Sequence, residues 1–338
     1  MDISQAQVLI LSDGRTGHEN QSRGVAAALG FPDPEVITLQ KAYPQRWLKW
    51  LPVSLLYSNW GVAQEAARHS HLLMATGSGP TRASAKLKEN FPHLFNVALL
   101  RPTVPFAAFD VVSCPLHDGA GNAPNLVTTL GNTNLITSEK LAQEGQRWAK
   151  RLSSVRGFKV AVLVGGPSGH GGIAEREVGP FFQSLIATLK AQHSEGAGLL
   201  ITTSRRTTPG MLAAIQAELQ AGGLPFHLWH PADPQNRDNP YFAYLHHAHA
   251  VLVSADSTSM VSEACTSGKP VYVWGERAGL PSKFQQLYTT LINQGRLVWW
   301  DGQFSLRAPA APLLDTQVVA GFIRAKWQKR YGVGGIFQ

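Results

Sequence analysis

Residues 7–30, QVLILSDGRTGHENQSRGVAAALG, and residues 159–191, KVAVLVGGPSGHGGIAEREVGPFFQSLIATLKA, repeat one pattern. An aliphatic run meets a glycine-containing loop, and the loop opens into a helix-like stretch. A strand of consecutive aliphatics with no polar alternation is buried on both faces, as in a parallel sheet. Each half continues in this mode. HLLMATGSGPTRASAKL (71–87), FNVALL (95–100) and FDVVSCP (109–115) supply further strands in the first half. GLLITTSRRTTPGMLAAIQAEL (198–219), FHLWH (226–230), AVLVSADS (250–257) and PVYVW (270–274) do so in the second. Strand alternating with helix, twice over, predicts an α/β chain of two doubly wound Rossmann-type domains, 1–152 and 158–314, followed by a helix and tail at 315–338. Thr137 or Ser138 is a good N-cap for a helix near 138–152, and Gly157 a good stop. The last helix, near 315–330, follows an Ala/Pro loop at 308–312. In two-domain proteins of this shape such a helix often crosses back onto the first domain.

The bulk composition narrows the setting. At 338 residues, 44% hydrophobic and 15% charged, the chain can bury two cores and is not of disordered type. A net charge of +8 favours anionic partners such as nucleotides or phospholipid headgroups. The basic residues are scattered over helices and form no stripe, which argues against nucleic acid. Cys114 and Cys265 are far apart and belong to no Cys-x-x-Cys pair, so a reducing compartment is expected. The N-terminal stretch has no basic region and only four apolar residues before Ser12, so it reads as a strand, not a signal peptide. No apolar run approaches the roughly 20 residues of a membrane span. The expected location is cytoplasmic, with peripheral membrane contact suggested by KAYPQRWLKWLPVSLLYSNW (41–60). There Trp47, Trp50 and Trp60 with Arg46 and Lys49 suit a lipid interface, or equally an irregular packed loop.

In an open parallel sheet, ligands bind beyond the C-terminal strand ends, where helix N-termini present N–H groups. The conspicuous loops all lie there. SDGRTGHENQ (12–21) offers Asp13, Arg15 and His18, and TGSGPTR (76–82) offers glycines, hydroxyls and Arg82. GGPSGHGG (165–172) brings five glycines, with Gly165, Gly166, Ser168 and His170, while TTSRRTTPG (202–210) combines five hydroxyls with Arg205 and Arg206. Glycine admits phosphate close to the backbone, hydroxyls donate to it, and arginine pairs with it bidentately. Four such loops in two domains predict an anionic, nucleotide-bearing ligand in the interdomain cleft. No stretch matches G-x-x-x-x-G-K-[ST], and neither glycine loop has the G-x-G-x-x-G spacing of a dinucleotide site. His18 is the leading acid–base group, with Asp13 placed to orient its imidazole; the alternative is a histidine that only caps or packs the first helix. His246, His247 and His249 precede a buried strand with no cysteine or acid at ligand spacing, so no metal site is expected.

With the loops placed, the second half resembles the donor half of GT-B glycosyltransferases, the peptidoglycan lipid-linked N-acetylglucosaminyltransferases above all. The shared features are Ser262-Glu263, the Gly268-Lys269-Pro270 turn before VYVW, and the Gln285-Gln286 pair. The resemblance implies two Rossmann-type domains facing across a cleft. It also implies that Glu263 holds the ribose hydroxyls of a nucleoside diphosphate, that Ser257, Thr258 and Ser259 meet its phosphates, and that Gln285 and Gln286 meet the donor sugar. GRTGH (14–18) and GGPSG (165–169) resemble that family's two glycine loops, the first with an acceptor-facing histidine. Asp256-Ser257 stands where that family has Ser-Gly, and a carboxylate beside phosphate is unfavourable unless screened. Over nearly its full length, through SDGRTGHENQ, TGSGPT and SADSTSMVSEACTSGKPV (254–271), the chain resembles the mitochondrial-fission family named for elongated mitochondria. That family's bacterial members carry the label nucleoside-diphosphate-sugar epimerase, and its plant member acts as an adaptor in organelle division.

The expectation is therefore a glycosyltransferase using a nucleoside-diphosphate sugar, with an envelope glycolipid as acceptor. It would need neither metal nor cofactor, because backbone amides and Arg205 or Arg206 stabilise the departing diphosphate. His18 or Asp13 would take the acceptor proton. An epimerase of the same fold, or a non-catalytic adaptor, are the alternatives.

Overall fold

Twelve strands and eleven α-helices follow in chain order among the described residues, which are 1–42, 51–119, 121–167, 172–234, 238–305 and 311–332 of this computed structural model. The first unit, Met1–Leu135 with Leu314–Gln338, starts with β1 (Val8–Ser12), α1 (Thr16–Leu29), β2 (Glu35–Thr38), α2 (Val53–Leu56) and α3 (Trp60–His69). It continues with β3 (Leu72–Thr76), α4 (Ser78–Asn90), β4 (Phe95–Leu99), β5 (Val111–Pro115) and β6 (Leu126–Thr129). The second unit, Ile136–Leu313, holds α5 (Ser138–Trp148), β7 (Phe158–Val164), α6 (Glu175–Gln192), β8 (Ala197–Thr203), α7 (Pro209–Gly222) and β9 (Phe226–Trp229). Then come α8 (Tyr241–His247), β10 (Ala250–Ser254), α9 (Thr258–Thr266), β11 (Val271–Trp274), α10 (Ser282–Asn293) and β12 (Val298–Trp299). The last helix, α11 (Asp315–Tyr331), returns to the first unit.

Each unit is one parallel six-stranded sheet, ordered β2-β1-β3-β4-β5-β6 in the first and β12-β11-β10-β7-β8-β9 in the second. The aliphatic runs became the central strands because both of their faces are covered. Every residue of β1, β3, β4 and β5 is buried. Alternate residues serve opposite layers: Ile10, Met74 and Val97 share a core with Val25 of α1 and Ile323 of α11, whereas Leu9, Leu73 and Ala75 pack with Ala63 of α3 and Leu87 of α4. Val160, Val162, Leu199 and Leu252 make the corresponding core of the second unit with α6 and α7.

Helix starts follow capping chemistry. Thr137 caps α5 by accepting from the Lys140 N–H, and Thr208 caps α7 by accepting from Met211, with Pro209 in the first helical position. The units part at Leu135–Ile136, so α5, placed with the first domain by the sequence, packs along α8 in the second. Helix α11 is anchored at both ends. The Asp315 carboxylate accepts from the Leu130 and Gly131 N–H groups, and the Arg330 guanidinium pairs with Asp110 at 2.7 Å. Among the described residues no helix is long and apolar enough to cross a membrane.

Candidate functional site

In the first unit the C-terminal ends of β1 and β3 lie side by side. Ser12 ends β1 and accepts from the Gly14 N–H, while its hydroxyl donates to Glu19. That turn carries Asp13 to the start of α1, where both of its oxygens lie 3.1–3.2 Å from His18 Nδ1. Asp13 also accepts from the Arg15 N–H. Burial alone would raise the Asp13 carboxyl, but the His18 ring, by hydrogen bond and charge, and Arg15 hold it below the ordinary carboxylate range. With the Nδ1 proton donated to the carboxylate, His18 keeps Nε2 as an acceptor. Gly77, which follows β3 at φ +90°, completes the contact: a Cβ there would sit 2.7 Å from His18 Nδ1. The two loops can approach only because that atom is missing.

In the second unit the loops after β7, β8 and β10 are tied into one knot. The Gly165 N–H donates to Ser254 Oγ at 2.8 Å, and Thr207 Oγ1 donates to the Gly165 carbonyl at 2.6 Å. The Gly166 N–H donates to Asp256 Oδ2 at 3.1 Å, and Arg206 Nη1 donates to the Gly166 carbonyl at 2.6 Å. Arg206 Nη2 closes the knot on Asp256 Oδ2 at 2.5 Å. The Asp256 side chain is 1% exposed, and that of Arg206 is 35% exposed. A Cβ on Gly165 would meet Asp256 Oδ2 at 2.1 Å, and one on Gly166 the Arg206 carbonyl at 2.3 Å. Glycine is therefore required at both positions by the chain's own packing. The Gly166 N–H that the sequence assigns to phosphate is spent on Asp256.

The other assigned residues are distributed around this knot. Ser257 caps α9 by accepting from the Met260 N–H, so Thr258 and Ser259 form the first helical turn. Glu263, near the far end of α9, accepts from the Tyr241 hydroxyl at 2.7 Å. Burial pushes its carboxyl up to about 7, with the Tyr241 hydroxyl pulling the other way. The residue as a whole is half-buried. Arg205 is exposed beside Arg206. Gln285 and Gln286 are exposed on α10, and Gln285 donates to the Leu280 carbonyl. Ser168 and His170 lie outside the described residues. The structure thus joins Gly165, Gly166 and Arg206 through Asp256, while Glu263 and Gln285 take separate partners. Tyr241 and the Asp256–Arg206 pair were not assigned from the sequence. Their signal was two unpaired arginines after one strand and one unpaired acid after another.

Among the described residues no three His, Cys, Asp or Glu side chains are grouped to hold a metal. His247 Nε2 reaches the Gly145 carbonyl, and His249 Nδ1 accepts from the Lys159 N–H. Trp60 is buried in the first unit's core, whereas Trp47, Trp50, Arg46 and Lys49 lie outside the described residues.

The sequence model of the family described as Mitochondrial fission ELM1 matches residues 16–327. The mitochondrial fission protein ELM1 of Arabidopsis thaliana is 24% identical over 80% of this chain and 78% of its own. An uncharacterised protein of Rickettsia prowazekii is 24% identical over 79% of this chain and 82% of its own. Two solved structures share the fold. The Methanocaldococcus jannaschii UDP-GlcNAc 2-epimerase in complex with UDP-GlcNAc and UDP has a TM-score of 0.52 at 11% identity, covering 94% of this chain and 98% of its own. A Listeria monocytogenes chain assigned as a UDP-N-acetylglucosamine 2-epimerase has a TM-score of 0.51 at 14% identity, covering 98% and 100%. The architecture is that of these two epimerase folds.

Proposed function

The chain belongs to the mitochondrial fission ELM1 family, and from that footing we propose that it is a metal-independent glycosyltransferase of GT-B type using a nucleoside-diphosphate sugar. The observation that carries this reading is the Asp13–His18 pair at the end of β1, with His18 Nδ1 3.1 Å from the carboxylate. A carboxylate held ionised fixes the tautomer and orientation of the imidazole, which leaves Nε2 to take a proton. A pure adaptor needs no such pair. The acceptor hydroxyl forms a bond to the anomeric carbon as the bond to the diphosphate breaks; its proton goes to His18 Nε2, and the nucleoside diphosphate leaves. In the second unit, Glu263 takes the ribose hydroxyls, the first turn of α9 with Ser257, Thr258 and Ser259 takes phosphate oxygens, and Arg205 and Arg206 supply charge in place of a metal. Gln285 and Gln286, exposed on α10, meet the sugar. Support for this ligand class comes from the M. jannaschii epimerase, which holds UDP-GlcNAc and UDP on the same fold. The net charge of +8 suits an anionic glycolipid acceptor on the cytoplasmic face of a membrane.

Two measurements test the reading. Thermal-shift screening with UDP, GDP, ADP, CMP and their sugars should single out one donor, since a ligand at a hundred times its dissociation constant adds roughly 2.7 kcal/mol. Loss of that shift in Glu263→Ala would support the ribose assignment; no shift with any nucleotide ends the donor reading and leaves the adaptor. Release of the nucleoside diphosphate is then followed with and without a glycolipid acceptor. Acceptor-dependent turnover marks a transferase, whereas acceptor-independent release of nucleotide and epimerised sugar marks the epimerase that the shared fold favours as second reading.

A further inference from the structure

We propose that Asp256 is a positioning residue, which aims the Arg206 guanidinium at the diphosphate of the ligand and so sets a preference for nucleoside diphosphates over monophosphates. This rests on the nucleotide-binding reading of the second unit. Asp256 itself cannot touch a ligand, because its side chain is 1% exposed and lies against the Gly165 Cα. Its Oδ1 has no hydrogen-bond partner among the described residues, while Oδ2 takes both the Gly166 N–H and Arg206 Nη2. A buried carboxylate with one unsatisfied oxygen is costly unless an opposite charge compensates it, and Arg206 is the cation at hand.

The pair fixes the arginine more than it consumes it. Nη1 is tied to the Gly166 carbonyl and Nη2 to Asp256, so two corners of the planar fork are held. A guanidinium has five N–H donors, and the two anchors use only two of them. The Arg206 side chain as a whole keeps 35% of its surface exposed, and it stands at the C-terminal strand ends where helix N-termini also point. The same pairing removes the objection to a carboxylate near phosphate. Its charge is paired inside the knot, and of the two partners the arginine is the one that keeps solvent exposure.

The test uses the full chain and titration calorimetry with UDP against UMP and GDP against GMP, taking whichever pair the parent binds. Asp256→Asn keeps an oxygen acceptor for Arg206 and Gly166, so it should hold the diphosphate preference within about twofold. Asp256→Ala and Arg206→Lys should weaken the diphosphate by about tenfold, one charge-assisted hydrogen bond, with the monophosphate unchanged. Equal loss for both ligands in Asp256→Ala would mean the residue only maintains the fold, and overturns the proposal. Tighter diphosphate binding in both Asp256 variants would mean its charge repels phosphate, and overturns it too. A parent that binds neither pair fails at the earlier step, so the donor reading falls and this inference with it. Melting temperatures of all variants, measured without ligand, separate lost folding from lost recognition.

Discussion

Glu263 illustrates how much one side chain's surroundings decide. A carboxyl on an exposed helix would titrate near its ordinary value; here burial raises it to about 7 despite the hydroxyl of Tyr241. The folded chain therefore holds this proton more tightly than the unfolded chain, whose carboxyl titrates near 4.5. The stability linked to the protonated group is complete below about pH 4.5 and is lost as pH rises through about 7. Its size is on the order of 3 kcal/mol at most. Glu263→Gln is neutral at every pH and still accepts from Tyr241. Its melting temperature should exceed the parent's at pH 8 and converge with it near pH 4, below the unfolded value of 4.5; the same difference at both values would show that the carboxyl is not desolvated. At the other end of the chemistry stands Asp13. Asp13→Asn keeps the size of the side chain but removes the charge that holds the His18 tautomer. In the transferase assay kcat should fall about a hundredfold with KM little changed. An unaltered kcat would return His18 to a packing role.

At the scale of elements, a physical divide separates what could be read in advance from what could not. The central strands were legible because each is an unbroken aliphatic run covered on both faces. The three strands that the sequence did not disclose, β2, β6 and β12, all lie at sheet edges. Their residues alternate or are half-exposed, and β12 is only Val298–Trp299. An edge strand has one neighbour and one wet side, so nothing forces the aliphatic run that betrays a strand. The strand-end loops were legible for the same reason as the central strands, each following directly on an aliphatic run. The partners inside them were not. Asp256 meets Arg206 across 50 positions of chain and Glu263 meets Tyr241 across 22, and no local spacing encodes either. Asp315 is a further long-range contact, holding the Leu130 and Gly131 N–H groups from the first turn of α11. Asp315→Ala leaves one buried donor, the Gly131 N–H, and one part-buried donor, the Leu130 N–H, without that acceptor and should cost about 2–3 kcal/mol in denaturant unfolding. A change below half a kcal/mol, the usual size for a surface site, would show that the carboxylate does not anchor the helix.

For the whole molecule the consequence lies in how the chain divides its cores. The first unit is discontinuous in sequence: residues 1–135 make the sheet, and α11 arrives from the far end of the chain to cover one face of it. Trp327 is the centre of that cover. It is 1% exposed, packs against Phe95 at 5.3 Å between ring centroids, and donates its indole N–H to the Met1 carbonyl. In the second unit the core cluster built on Val160, Leu199, Leu252 and the side chains of α6 and α7 includes no described residue of this helix. Trp327→Ala should therefore act on one unit alone, at a cost of about 3–5 kcal/mol for a large buried aromatic. Calorimetry of the variant should show an early transition for the first unit, with the transition of the second at the parent's temperature. The nucleotide binding proposed for the second unit should survive at temperatures where the early transition is complete. If the variant instead melts in a single transition displaced as a whole, the two cores stand or fall together, and α11 supports the entire chain.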